Sequence, residues 1–180
     1  MGGVRGQGNA AKPTLVFSST PLICLTRAGL ADKLSHLLFE LATTRTVYDE
    51  VMAKGAEKQV EEASELRELF DSRIIEVVGQ TDEETVEKLR DSGIHLGEAT
   101  VISLAYKLNA VAIIDDRRAG HIARTLGIGL SSTPHIIIQL VKQRIIAKQE
   151  ARQAIDRIVE EGWYCSAKSY SEMIEALERA

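Results

Sequence analysis

Cysteine, aromatic rings and a cationic excess are all scarce in this 180-residue chain, and each scarcity removes a class of function. Cys24 and Cys165 are its only cysteines and form no ligand-like pair, so zinc-type spacing is absent and a reduced cytoplasm is the expected location. Cys24 lies in an apolar run, residues 22–25, and reads as a core residue rather than a reactive thiol. Aromatics make up 4% of the chain, with Trp163 the single tryptophan, so a stacking surface for single-stranded nucleic acid is not expected. The formal charge of −4 gives no global attraction for nucleic acid, and such a partner would need a local basic patch or bound cations. No apolar run approaches the length of a membrane span and no secretory signal is evident, so no membrane association is expected. His36, His95, His121 and His135 are scattered without metal-ligand spacing, and no internal repeat is present.

What the chain does have is 44% hydrophobic and 27% charged residues, ordinary for one soluble domain. Its organising stretch is residues 96–120, LGEATVISLAYKLNAVAIIDDRRAG. Val101, Leu104, Ala105 and Leu108 recur at helical spacing, Asn109 breaks the pattern, and the apolar run 111–114 ends abruptly in Asp115, Asp116, Arg117 and Arg118. A helix feeding a short buried strand is expected, with helical patterns on both sides that suit a parallel sheet. Ligands bind such sheets beyond the carboxyl ends of the strands, where these two aspartates fall.

In chain order, residues 1–12 read as a flexible leader and 14–17 as a strand. Thr20 reads as an N-cap before Pro21, and the helix they open stops at Gly29. Leu30, Leu34, Leu37 and Leu38 suggest a second amphipathic stretch, and residues 41–44 a second strand. Thr46 and Asp49 resemble a capping box for a helix with Val47, Val51 and Met52 inside and Glu50 close to that face. Residues 60–70 read as a helix, 73–78 as a strand and 82–92 as a helix; beyond the central stretch, 117–126 reads as a helix with Gly127 ending it, and 128–130 as a last strand. Ser131 to Pro134 start another helix. The alternation predicts a three-layer α/β/α fold with a mainly parallel sheet, a domain over 13–146 and a helical extension over 147–180. Apolar stripes on the extension must be covered, by its own domain or by a homodimer partner, and a dimer is the expectation.

Glu98 opens its helix with Ile102 and Ala105 on the same side, so its carboxylate should emerge at the sheet's edge. With Glu50, Asp115 and Asp116 it would make a crevice of four carboxylates, which cannot stay ionised together unless cations sit between them. Oxygen-rich sites of this kind favour Mg²⁺ or Mn²⁺ over Zn²⁺. The competing readings are structural: Glu98 set against its helix dipole, Glu50 on a solvated face, and Asp115 and Asp116 as helix caps or ion-pair partners of Arg117 and Arg118. Arg117, Arg118 and His121 are candidates for phosphate contact.

The strings SSTPLI from Ser18, VYDEV from Val47, LGEATVISLAYKL from Leu96 and AIIDDRRAGHIARTLGI from Ala112 resemble the PIN-domain superfamily. More narrowly they resemble a branch of prokaryotic PIN-like proteins reading D-A-S-P-L-I, G-E-x-E-A and I-D-D-x-x-A-R. The resemblance covers about residues 15–145 and implies a metal-dependent endoribonuclease, of toxin type in many members, with RNA as substrate and an antitoxin-like protein as a further partner. By position, Glu50, Glu98 and Asp116 would hold Mg²⁺ or Mn²⁺ and Asp115 would assist. The branch's first acid falls on Ser18, whose uncharged hydroxyl ligates Mg²⁺ weakly, so an impaired site is expected. The alternative is a catalytically silent PIN-like module that binds RNA or a protein. A phospho-acceptor receiver would need acids after the first strand, where Ser18 and Ser19 stand.

Overall fold

In the computed structural model the chain is described over residues 12–58 and 61–180, with the side chains of 55–62 outside that description. Most of the expected leader, residues 1–11, therefore lies outside the described residues. Five strands, β1 (Thr14–Phe17), β2 (Glu40–Thr44), β3 (Ile75–Val78), β4 (Val111–Ile113) and β5 (Gly129–Ser131), form one parallel sheet in the order β3-β2-β1-β4-β5. The central strand is apolar without alternation because both its faces are covered: Leu15, Val16 and Phe17 are all buried. Phe17 stands opposite Thr43 of β2 and Ile113 of β4.

The helices complete a three-layer α/β/α sandwich. α1 (Ser19–Arg27), α2 (Arg45–Lys58), α3 (Glu61–Asp71) and α4 (Glu83–Asp91) lead to α5 (Leu96–Leu108), which lies against β1, β2 and β4. Sequence spacing suggested one apolar stripe on α5, but Gly97 and every residue from Ala99 to Ala105 are buried, while Leu108 at the stripe's end is exposed. The helix is a core element covered by α2, α4 and α6 (Arg117–Thr125) as well as by the sheet. Asn109 ends it in the left-handed region at φ 50°, which a short polar side chain tolerates, and the chain turns directly into β4.

Three local expectations are corrected. The first helix is capped in position by Ser18 rather than Thr20, yet no side chain bonds its first turn. The expected box of Thr46 and Asp49 does not form: α2 already starts at Arg45, Thr44 Oγ1 accepts the Val47 N–H at 3.3 Å, and Asp49 pairs with Arg45 at 3.2 Å. Between α1 and β2 the chain makes only a 3₁₀ turn at Asp32–His36, which buries Leu34 and leaves Leu38 exposed.

α7 (Thr133–Lys142), α8 (Lys148–Glu160) and α9 (Ala167–Glu178) close the chain. Ala151, Ala154, Ile155 and Ile158 of α8 are buried, and this helix packs on α1 and α7. Leu177 of α9 is buried on the same core, with Tyr170, Met173 and Ile174 half-buried against it. The stripe of α8 is thus covered within the chain, and that of α9 in part. Among the described residues no helix is long and apolar enough to cross a membrane.

Candidate active site

The chain leaves β1 toward β2 and β3, then returns through α5 to place β4 on the other side of β1, so the connection changes direction between β1 and β4. In open parallel sheets that change leaves a crevice at the carboxyl ends of the two strands. Ser18 sits in it, only 2% exposed, and both its N–H and its hydroxyl donate to the Ile113 carbonyl at 3.1 Å. Its hydroxyl is therefore spent on joining β1 to β4.

The two glutamates approach from the side of α5. Because α5 runs back across the sheet before feeding β4, its first turn, with Glu98, lies at the carboxyl edge. α2 begins immediately after β2 at the same edge and carries Glu50 one turn in. Its carboxylate lies over Gly97: a Cβ built there would stand 2.8 and 2.9 Å from the two Glu50 oxygens. Glycine at this position is what lets an acid rest on the helix's N-terminal turn, where the dipole favours negative charge. A hydroxyl pair joins the end of β2 to α5 beneath, Thr44 Oγ1 lying 2.9 Å from Thr100 Oγ1, which is 2.8 Å from the Gly97 carbonyl oxygen. Glu50 and Glu98 are each half-buried, so the solvated-face reading of Glu50 is incomplete.

Asp115 and Asp116 follow β4, but both are employed as caps. Asp115 accepts the Thr133 N–H at 2.9 Å and the Thr133 hydroxyl at 2.6 Å, which uses both its oxygens at the start of α7. Asp116 Oδ1 accepts the Ala119 N–H at 2.8 Å, leaving Oδ2 outside the cap of α6. Among the described residues no three His, Cys, Asp or Glu side chains are grouped so as to hold a metal ion. With Ser18 and Asp115 committed elsewhere, the residues do not fit a preformed Mg²⁺ or Mn²⁺ site in this arrangement.

The three phosphate-contact candidates separate. Arg117 lies over the Tyr164 ring, 4.9 Å from its centroid, and lines a cavity of about 360 Å³ beyond β4 and β5. Arg118 points elsewhere: its guanidinium covers Gly93, where a Cβ would come within 2.6 Å. His121 is exposed and does not line the cavity. Arg124 does line it, two turns from Arg117 on the same face of α6. That i, i+7 spacing was the available signal for Arg124; nothing in the sequence signalled Trp163 and Tyr164, which reach the cavity from the link between α8 and α9.

A five-stranded parallel sheet in this order between two layers of helices is a PIN-like architecture. The chain belongs to the PIN-domain family: a family model described as PIN domain (DUF3368) matches residues 14–179, including the helical tail. The crystal structure of PAE2754 from Pyrobaculum aerophilum is similar in fold, with a TM-score of 0.56 and 19% identity over 77% of this chain and 100% of that one. No curated protein matches significantly. PIN domains are generally nucleases and typically depend on divalent metal ions.

Proposed function

We propose that this chain is an attenuated PIN-type endoribonuclease acting on RNA with Mg²⁺ or Mn²⁺. The observation that supports the reading is the position of Glu50 near the start of α2, Glu98 in the first turn of α5 and Asp116 just after β4, in a chain of the PIN family. Glu50 and Glu98 are half-buried where they serve the core poorly, Asp116 stands exposed beyond β4, and the crevice between β1 and β4 is where this class of sheet binds ligands. Attenuation follows from Ser18, a neutral, buried residue bonded to Ile113 at the place of an expected acid.

The test is Ser18→Asp. A carboxylate there should raise Mn²⁺ affinity in calorimetry and speed cleavage of single-stranded RNA by ten-fold or more, a demand of only about 1.4 kcal/mol. Asp116→Asn in that background should remove the gain. If neither wild type nor Ser18→Asp binds Mn²⁺ or cuts RNA, the second reading, a silent RNA-binding module, takes its place. That reading is favoured by one observation of its own, the lack of a preformed three-carboxylate group among the described residues.

A further inference from the structure

We propose that the cavity bounded by α6, β5 and the link between α8 and α9 seats one nucleotide of a single-stranded RNA, its base on Tyr164 and its phosphate on Arg117 and Arg124. The proposal rests on the ribonuclease reading for its substrate class, but it concerns residues that lie outside the four acids.

The composition makes the cavity conspicuous. In a chain with 4% aromatics, the only tryptophan and one of four tyrosines come together on one wall. Tyr164 is 75% exposed, so burial does not explain its place. The Arg117 guanidinium over its ring already presents a cation beside an aromatic face, the pairing that single-stranded nucleic acid finds in its binding grooves. Arg124 adds a second cation, and neither arginine is in an ion pair among the described residues.

The wall also holds an unspent polar group. Ser131 lines the cavity and its Oγ has no hydrogen-bond partner within the described residues, so a small rotation would offer it to a base edge or ribose hydroxyl. At about 360 Å³ the cavity falls in the usual range for small-molecule pockets. Ile114, Asp115 and Asp116, which follow β4, are on its wall, so a strand seated there would lie beside the carboxyl end of β4. The first cavity sets Arg117 and Arg124 against Asp115 and Asp116, whereas a second cavity of about 530 Å³ has Asp32, Glu65 and Glu68 on its walls with no lysine or arginine among its lining residues.

The tail builds this wall through two local devices. Gly162, at φ 98°, ends α8, and the Trp163 N–H then returns to the Ile158 carbonyl at 2.8 Å, fixing the direction in which the link leaves. At the other end Ser166 caps α9, accepting the Ser169 N–H at 3.1 Å. The six-residue span between helices is thereby held at both ends over the cavity.

Trp163 is also the reporter. Titrating wild type with a hexauridylate RNA in EDTA, where cleavage does not interfere, should quench Trp163 fluorescence saturably. Tyr164→Ala and Arg124→Gln should each raise Kd about ten-fold, and Tyr106→Ala, an exposed tyrosine on α5, should not change it. Absence of quenching, or titrations of Tyr164→Ala and Arg124→Gln that match wild type, overturns the proposal. Cleavage in Mn²⁺ is measured beside it. Cleavage without Tyr164-dependent binding sinks the cleft and leaves the nuclease reading standing, whereas Tyr164-dependent binding without cleavage in wild type or Ser18→Asp upholds the cleft and removes the nuclease.

Discussion

Replacing Gly97 by alanine should separate stability from activity. The three nearest atoms to a Cβ at this position all belong to the Glu50 carboxylate, at 2.8, 2.9 and 3.2 Å, so the closest obstacle is the end of a side chain. To restore ordinary contact Glu50 must retreat by about 0.6 Å, and as the end of a flexible side chain it can swing outward. The helix itself gains, since alanine is favoured over glycine by up to about 1 kcal/mol, equivalent to roughly 2–4 °C in Tm for a chain of this size. Glu50 loses its seat on the first turn of α5, and a displacement of that order at a reacting centre can cost about a hundred-fold in rate. Gly97→Ala should therefore melt at or above the wild-type temperature by calorimetry while RNA cleavage, measured in wild type or in Ser18→Asp, falls ten- to a hundred-fold. Unchanged cleavage would refute the claim that Glu50 must rest on Gly97 to function. A Tm several degrees lower would refute the claim that Glu50 can move aside.

Asp115→Ala should cost about 2 kcal/mol in urea unfolding, because it strips both Thr133 hydrogen bonds from the start of α7, whereas Asp116→Ala should cost about 1 kcal/mol for its single cap. Equal stability of the two variants and wild type would show the caps to be idle. Cys24 should resist iodoacetamide at pH 8 in Cys165→Ser, since burial first and Asp115 second push its thiol up to about 11. The same shift makes the native state bind a proton that the unfolded chain releases, so stability should decline from about pH 9 to 11 and be unaffected by this group below that window. Rapid labelling at pH 8 would contradict it. Gly93→Ala should destabilise by about 1 kcal/mol or more, because φ is +80° and the Arg118 guanidinium occupies the space; a neutral effect in thermal melts would disprove that packing.

Much of the site's location was legible because it depends on local patterns. The apolar run after Asn109 ends in two aspartates, and any short parallel strand delivers its last residues to the carboxyl edge. The role of those aspartates was not legible. A carboxylate after a strand can bind an ion or cap a helix equally well by residue type, and Asp115 became a cap only because Thr133 arrives beside it after β5 returns to the sheet. Similarly, Arg117 and Arg118 are indistinguishable as neighbours in sequence, but the helical rotation between them turns one onto Tyr164 and the other onto Gly93.

The sequence alone determined the alternation of helix and strand, the burial of β1 and β4, and the left-handed endings at Gly29, Asn109 and Gly127, since apolar runs and positive φ values are decided within a few residues. Only the tertiary structure decided that α5 is buried on nearly every side, that the tail packs on its own domain, that Glu50 rests on Gly97, and that Tyr164 meets Arg117 in a cavity that Trp163 also lines. Each of these joins residues far apart in the chain, and such contacts depend on how whole helices pack rather than on the period of any one of them.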